Sequence, residues 1–216
     1  RLLRAVIELL IGKVIGFVVA GKVHDYLRTP SCEIRAEQSC ELLIIDPTGT
    51  VIVYFRVALL VGGILSIPMI TYQLLMFILP GLTRREKRYV ILSIPATTLL
   101  FIIGVVFSWF VLMPPALGFL EGFQPTIFEP EWTADLYLSF VTSLIFWMGV
   151  AFQTPLVFFL VSLFGLVSAT TLVQQWRVAV VGASIAAALI TPTIDPVNMF
   201  LVMAPLLPLY ALSIVL

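Results

Sequence analysis

Charge is what this sequence has least of. Its 216 residues include 12 Lys+Arg, 12 Asp+Glu and one His, so charged residues make up 11% of the chain and the formal net charge is zero. Soluble domains carry about 25%. With 61% hydrophobic residues and a mean hydropathy of +1.12, the chain cannot build a water-facing exterior from so few charges. A soluble globule is excluded and a membrane protein is implied. There is no basic excess, which weakens any nucleic-acid reading, and no nucleic acid is expected as a partner.

Catalytic signatures are missing too. No H-E-x-x-H, G-x-S-x-G, P-loop or G-x-G-x-x-G occurs. The one histidine, His24, stands beside Asp25 at the end of an apolar run, where a solvated loop residue is the ordinary reading. No His, Cys or carboxylate cluster has metal-ligand spacing. Neither an enzyme nor a metal or other cofactor is expected. The two cysteines, Cys32 and Cys40, both fall in the first long polar loop. In an oxidising compartment they form an easy bridge of about 2–3 kcal/mol, with free thiols as the alternative. No internal repeat or low-complexity tract is visible.

What is present is a series of apolar runs. About 20 residues at 1.5 Å each cross a hydrocarbon core, and six candidate spans follow within one transmembrane domain, 1–216: about 2–23, 51–79, 89–113, 136–164, 178–190 and 197–216. The first carries Glu8 and Lys13 and reads as a span rather than a cleavable leader. Arg1 in place of Met, and an apolar run reaching Leu216, suggest that both ends are trimmed. Spans two and four are long, roughly 43 Å as helix, and Pro68 and Pro155 are expected to bend them. Span five, at roughly 20 Å, thins the bilayer around it. Pro205 and Pro208 are expected to shorten span six as well.

Loop charge orients the spans. Arg1, Arg4, Arg84, Arg85, Lys87, Arg88 and Arg177 fall on one side, and only Lys22, Arg28 and Arg35 on the other. The positive-inside rule then places both termini and the Arg84–Arg88 loop in the cytoplasm. The loops about 24–50 and 114–135 fall outside, with Asp46-Pro47-Thr48-Gly49 and Pro114-Pro115 as local stops. Of the ionisable groups within spans, Glu8, Lys13 and Arg56, none forms a relay, and Arg56 is placed to snorkel to the interface.

The segments Ser66-Ile67-Pro68, Tyr72-Gln73, Phe77-Ile78-Leu79-Pro80-Gly81-Leu82 and Glu86-Lys87-Arg88 resemble the TatC family, the multi-spanning receptor of the twin-arginine protein translocase. The similarity continues through Phe107–Phe110, Pro115–Leu120, Tyr137–Phe140, Phe146–Pro155 and Thr191-Pro192. The resemblance implies an all-α membrane protein with six helices, both termini in the cytoplasm of a plasma or inner membrane, a short fifth and sixth helix, and a curved wall. It also implies a non-enzymatic receptor that binds twin-arginine signal peptides. With TatA-type and TatB-type single-span partners, in a homo- or hetero-oligomer, such a receptor moves folded proteins across the bilayer on the proton-motive force. By position Glu86 is the acidic recognition residue and Phe77 its neighbouring aromatic, with Arg88 in the same motif.

This chain departs from the family at several positions. Gln153 stands where the family carries a carboxylate, Asn198 aligns with its glutamine, and Asp195 is one residue from its usual acid. Thr191, Asn198 and Gln153 are the expected docking residues for partner helices. A small-solute transporter is the competing class, but it calls for deep ionisable groups and usually a repeat. A structural subunit retaining the fold is a third reading.

Overall fold

The computed structural model describes residues 2–29, 42–79, 84–123, 132–165, 167–191, 193 and 195–215. The elements are α1 (Leu2–Leu27), α2 (Gly49–Ile78), α3 (Arg84–Phe107), a π-helical turn (Ser108–Leu112), α4 (Met113–Gly122), α5 (Ala134–Ala151), α6 (Thr154–Leu163), α7 (Ala169–Gln174), α8 (Trp176–Ile190) and α9 (Pro196–Val215). Among the described residues, four helical paths are long and apolar enough to cross a membrane: Gly49–Phe77, Ser93–Gly122, Ala134–Leu163 and Pro196–Ile214. The expected bridge partners Cys32 and Cys40 lie outside the described residues.

The first two helices meet through small side chains. Gly12, Gly16 and Ala20 recur every fourth residue on α1, and Ala58, Gly62 and Ser66 do so on α2. A Cβ on Gly12 would lie 2.5 Å from Ser66 Oγ, and one on Gly16 would overlap the Ala58 carbonyl and the Gly62 backbone. Such close approach replaces the hydrophobic driving force that two helices in lipid lack. Tyr54 Oη donates to the Phe17 carbonyl across the same interface at 2.8 Å. Helix α5 is the central post, with Tyr137, Leu138, Val141, Leu144, Ile145 and Met148 buried.

Prolines set the breaks, though not all where expected. Pro114-Pro115 does not stop the third span. Ser108 O accepts from the Met113 N–H in a π turn, and helix resumes as far as Gly122. The widened turn accommodates the two donors that proline lacks. The fourth span does break. Phe152 and Gln153 separate α5 from α6, and the Ala151 carbonyl that Pro155 cannot serve is taken by Thr154 Oγ1 at 2.6 Å. The expected shortening of the sixth helix is corrected: α9 runs 20 residues through Pro205 and Pro208. Neighbouring helices let proline persist inside a membrane helix. Of the two helices expected to be short, α8, with 15 residues, is so, at roughly 22 Å. The first helix continues one turn past Val23, so His24 and Asp25 are helical.

Gly16→Leu should therefore force α1 from α2 and cost about 1–3 kcal/mol, read as a lower thermal midpoint of the purified protein. Gly118→Ala, where a Cβ meets nothing within 4 Å, should leave that midpoint unchanged or raise it.

Candidate functional site

At the α2–α3 end of the bundle a second apolar cluster, separate from the main core, holds three helices together. Leu75 of α2, Leu79 just beyond its end and Val90 of α3 are buried against Leu156 and Leu160 of α6. The break at Phe152-Gln153 is what lets α6 lie there. This clamp fixes the last turn of α2 and the first turns of α3, and it leaves Phe77 74% exposed between the buried Leu75 and Leu79. Arg88 is exposed and Lys87 half-buried. Glu86 is the third residue of α3, where a carboxylate complements the helix dipole. Residues 80–83 and the side chains of Arg84, Arg85 and Glu86 lie outside the described residues. The sequence Thr83-Arg84-Arg85-Glu86 also has capping-box spacing, a local signal for where α3 begins.

The predicted docking residues fall on two elements. Thr191 ends α8 and Asn198 lies in the first turn of α9, and both are buried, Asn198 to 1% exposure. Thr191 Oγ1 donates to its own helix at Ala187 O, 2.8 Å. Asp195 caps α9: Oδ1 accepts the Asn198 N–H at 2.7 Å and Oδ2 accepts Asn198 Nδ2 at 3.0 Å. Asn198 Oδ1 has no hydrogen-bond partner among the described residues. Gln153 belongs to the α5–α6 break, where Nε2 donates to the Thr97 carbonyl of α3 at 2.9 Å and Oε1 is likewise without a partner. Between α6 and α9, α8 presents Ala179, Gly182, Ala183 and Ala186 to a cavity of about 320 Å³ that Phe158 and Tyr210 also line. No group of three or more His, Cys, Asp or Glu is placed for a metal among the described residues.

Some anchoring residues were not legible as such. Arg56 does not simply snorkel: Nη1 donates to both the side chain and the carbonyl of Asp135, each at 2.8 Å. Tyr137 Oη donates to the Leu27 carbonyl at 2.8 Å, and Leu43 pairs with the Trp132–Ala134 backbone. These contacts tie α1, α2 and α5 at the end opposite Phe77. The opposite signs of Arg56 and Asp135 were the only advance signal.

The family model described as Sec-independent protein translocase protein (TatC) matches residues 1–205. The tatC-like protein ycf43 of Gracilaria tenuistipitata var. liui is 31% identical over 215 residues, which is 100% of this chain and 88% of that protein. The Sec-independent protein translocase protein TatC of Koribacter versatilis is 34% identical over 195 residues, 89% of this chain and 72% of that one. The chloroplastic TATC of Arabidopsis thaliana is 42% identical over 149 residues, and this match spans only 44% of that protein. Among solved structures, a crystal structure of the twin arginine translocase receptor TatC superposes with a TM-score of 0.87 at 34% identity, covering 100% of this chain and 93% of the other.

Removing the Asp195 cap with Asp195→Ala should cost about 1 kcal/mol of stability. Gln153→Met, which gives up one intramembrane bond and also an unsatisfied acceptor, should cost no more than about 0.6 kcal/mol. Thermal unfolding in one detergent ranks the two.

Proposed function

The chain belongs to the TatC family of Sec-independent protein translocase proteins, and from that premise we propose that it is the multi-spanning receptor of a twin-arginine translocase, taking signal peptides at the α2–α3 end. The observation that carries this reading is Phe77, exposed on a helix end that is otherwise clamped, with Glu86 in the first turn of the next helix. A carboxylate can engage a guanidinium through two parallel hydrogen bonds, a geometry an ammonium lacks. Phe77 supplies the apolar contact, and the exposed Arg88 borders the site. Arg84, Arg85, Lys87 and Arg88 surround Glu86 in sequence and oppose a cationic ligand. The contact with Glu86 must therefore be direct and short, with further acids coming from the partners.

Partner helices of the TatA and TatB type dock at Thr191, Asn198 and Gln153. Two observations support this: the unpartnered acceptors Asn198 Oδ1 and Gln153 Oε1, and the small-residue face of α8. Each polar contact of that kind in hydrocarbon contributes about 0.6–2 kcal/mol, enough to choose a register. The protein spans a plasma or inner membrane six times with both termini cytoplasmic, as the basic loop at Arg84–Arg88 favours. It acts as a receptor rather than an enzyme, and the proton-motive force works on the assembly.

In membranes holding the intact protein, a photoreactive twin-arginine peptide should crosslink within residues 77–88. A twin-lysine peptide should label about tenfold less, and Glu86→Ala should erase the difference. Equal or absent labelling in every arm, with the protein folded, overturns the receptor reading and leaves a structural membrane subunit.

A further inference from the structure

Helix α6 is a ten-residue segment whose two faces serve different parts of the molecule. One face carries Leu156 and Leu160, buried in the apolar clamp with Leu75, Leu79 and Val90. The other carries Thr154 and Phe158, which form one wall of the cavity of about 320 Å³ beside α8 and α9. Residues two apart on a helix are turned by about 200° from each other, so Leu156 and Phe158 lie on nearly opposite sides. Any displacement of α6 toward the cavity therefore draws Leu156 and Leu160 out of the clamp.

The segment has a pivot at one end and a turn at the other. At its start Phe152 and Gln153 are held to α3. A Cβ on Gly104 would lie 2.8 Å from the Phe152 ring, and Gln153 Nε2 bonds the Thr97 carbonyl. Past its far end Gly165, with φ +70°, turns the chain in a conformation that suits glycine. On the cavity side the Phe158 ring meets that of Tyr210 on α9 edge-on, with centroids 5.5 Å apart. Tyr210 Oη in turn donates to the Leu172 carbonyl of α7 at 2.7 Å. The facing wall is made of Ala179, Gly182 and Ala183, whose small side chains leave room. Spread over the side of a helix about 15 Å long and 10 Å wide, the 320 Å³ amounts to a movement of about 2 Å. Pro155 accounts for the break before α6 but not for the void behind it.

We infer that α6 is a lever coupling the signal-peptide end to the partner-docking face of α8, an inference that rests on the receptor reading above. Two arrangements compete. With the clamp filled the cavity is open, as in this structure; with α6 shifted the cavity closes and the clamp loosens. A peptide seated on Phe77, between Leu75 and Leu79, binds the filled clamp better and so holds the cavity open for a side chain of the partner helix. A partner in the cavity blocks the shift and favours the clamp in return, because coupling between two binding sites is reciprocal. Shifts of 1–2 Å at packed helix interfaces are the usual scale of such transitions.

The test uses the full chain in nanodiscs, carrying Cys32→Ser, Cys40→Ser, Val157→Cys and Val181→Cys, with spin labels on the two new cysteines. Val157 of α6 and Val181 of α8 are both exposed, and double electron–electron resonance reads their separation. A saturating twin-arginine peptide should narrow the distribution to its longer component. Leu160→Ala, which weakens the clamp, should move it to shorter separation by about 2 Å with no peptide present. Gly182→Leu, where a Cβ meets nothing within 4 Å, fills the cavity from α8 and should hold the longer separation with or without peptide. Peptide binding is followed in the same samples by fluorescence anisotropy. An unchanged distribution with peptide bound, or in Leu160→Ala, overturns the inference. Failure of the peptide to bind the folded chain instead overturns the receptor reading and the coupling with it, and the response to Leu160→Ala then shows whether α6 moves.

Discussion

Inside a bilayer a backbone group released from its helix has no water to turn to, and three departures from regular helix among the described residues show how this chain meets that constraint. The sequence has 14 prolines, several within the membrane-spanning paths, so such departures are unavoidable. At the α5–α6 break the Ala151 carbonyl loses its ordinary donor to Pro155 and gains the Thr154 hydroxyl. At Pro114-Pro115 the chain widens into a π turn and continues. At the start of α9, Pro196 occupies the first helical position, where no donor is needed, and Asp195 serves the N–H of Asn198.

This requirement also positions the rest of the molecule. Because the Ala134–Leu163 path breaks at Phe152-Gln153 rather than running straight, α6 leans on the ends of α2 and α3 and holds Leu75, Leu79 and Val90 in place. The exposed Phe77 and the helix start bearing Glu86 follow from that contact. At the far end, Arg56–Asp135 and Tyr137–Leu27 tie the first, second and fifth helices across loops that are long in sequence. One end is thus fixed by apolar packing and the other by polar anchors. The difference accords with their settings, since long-range polar anchors are useful where the chain leaves hydrocarbon.

The apolar runs were legible because hydrocarbon thickness imposes a length on them, and α2, α8 and the broken Ala134–Leu163 path fall close to where composition placed them. Two proline readings failed for a common reason. Proline was read as a local stop, but whether it stops, kinks or is absorbed depends on what lies beside it, and neighbours across the bundle are invisible in sequence. The Ser93–Gly122 path absorbs Pro114-Pro115, and α9 carries Pro205 and Pro208 within 20 helical residues. The α1–α2 seam was legible in principle. Gly12, Gly16 and Ala20 facing Ala58, Gly62 and Ser66 form two every-fourth-residue patterns of small side chains, and a search for spans by hydropathy passes over them because glycine and alanine add little to it. The Arg56–Asp135 pair was not legible, because two charges 79 positions apart carry no mark of adjacency.

Gln153 shows what position and chemistry say together. Its amide joins the α5–α6 break to α3 through the Thr97 carbonyl, so it latches two of the long paths at the point where one of them is weakest. A carboxylate there could make that bond only when protonated, since it would have to donate to a carbonyl. It would therefore hold or release α3 as its charge changed. An amide donates at every pH and has no charge to change. In this chain the latch between α3 and the α5–α6 break is accordingly insensitive to protons, and any step that draws on a proton gradient has to act on groups other than this one. The remaining acceptor, Gln153 Oε1, still offers a bond to a donor approaching from another helix. The residue thus keeps the capacity to be recognised while giving up the capacity to be titrated.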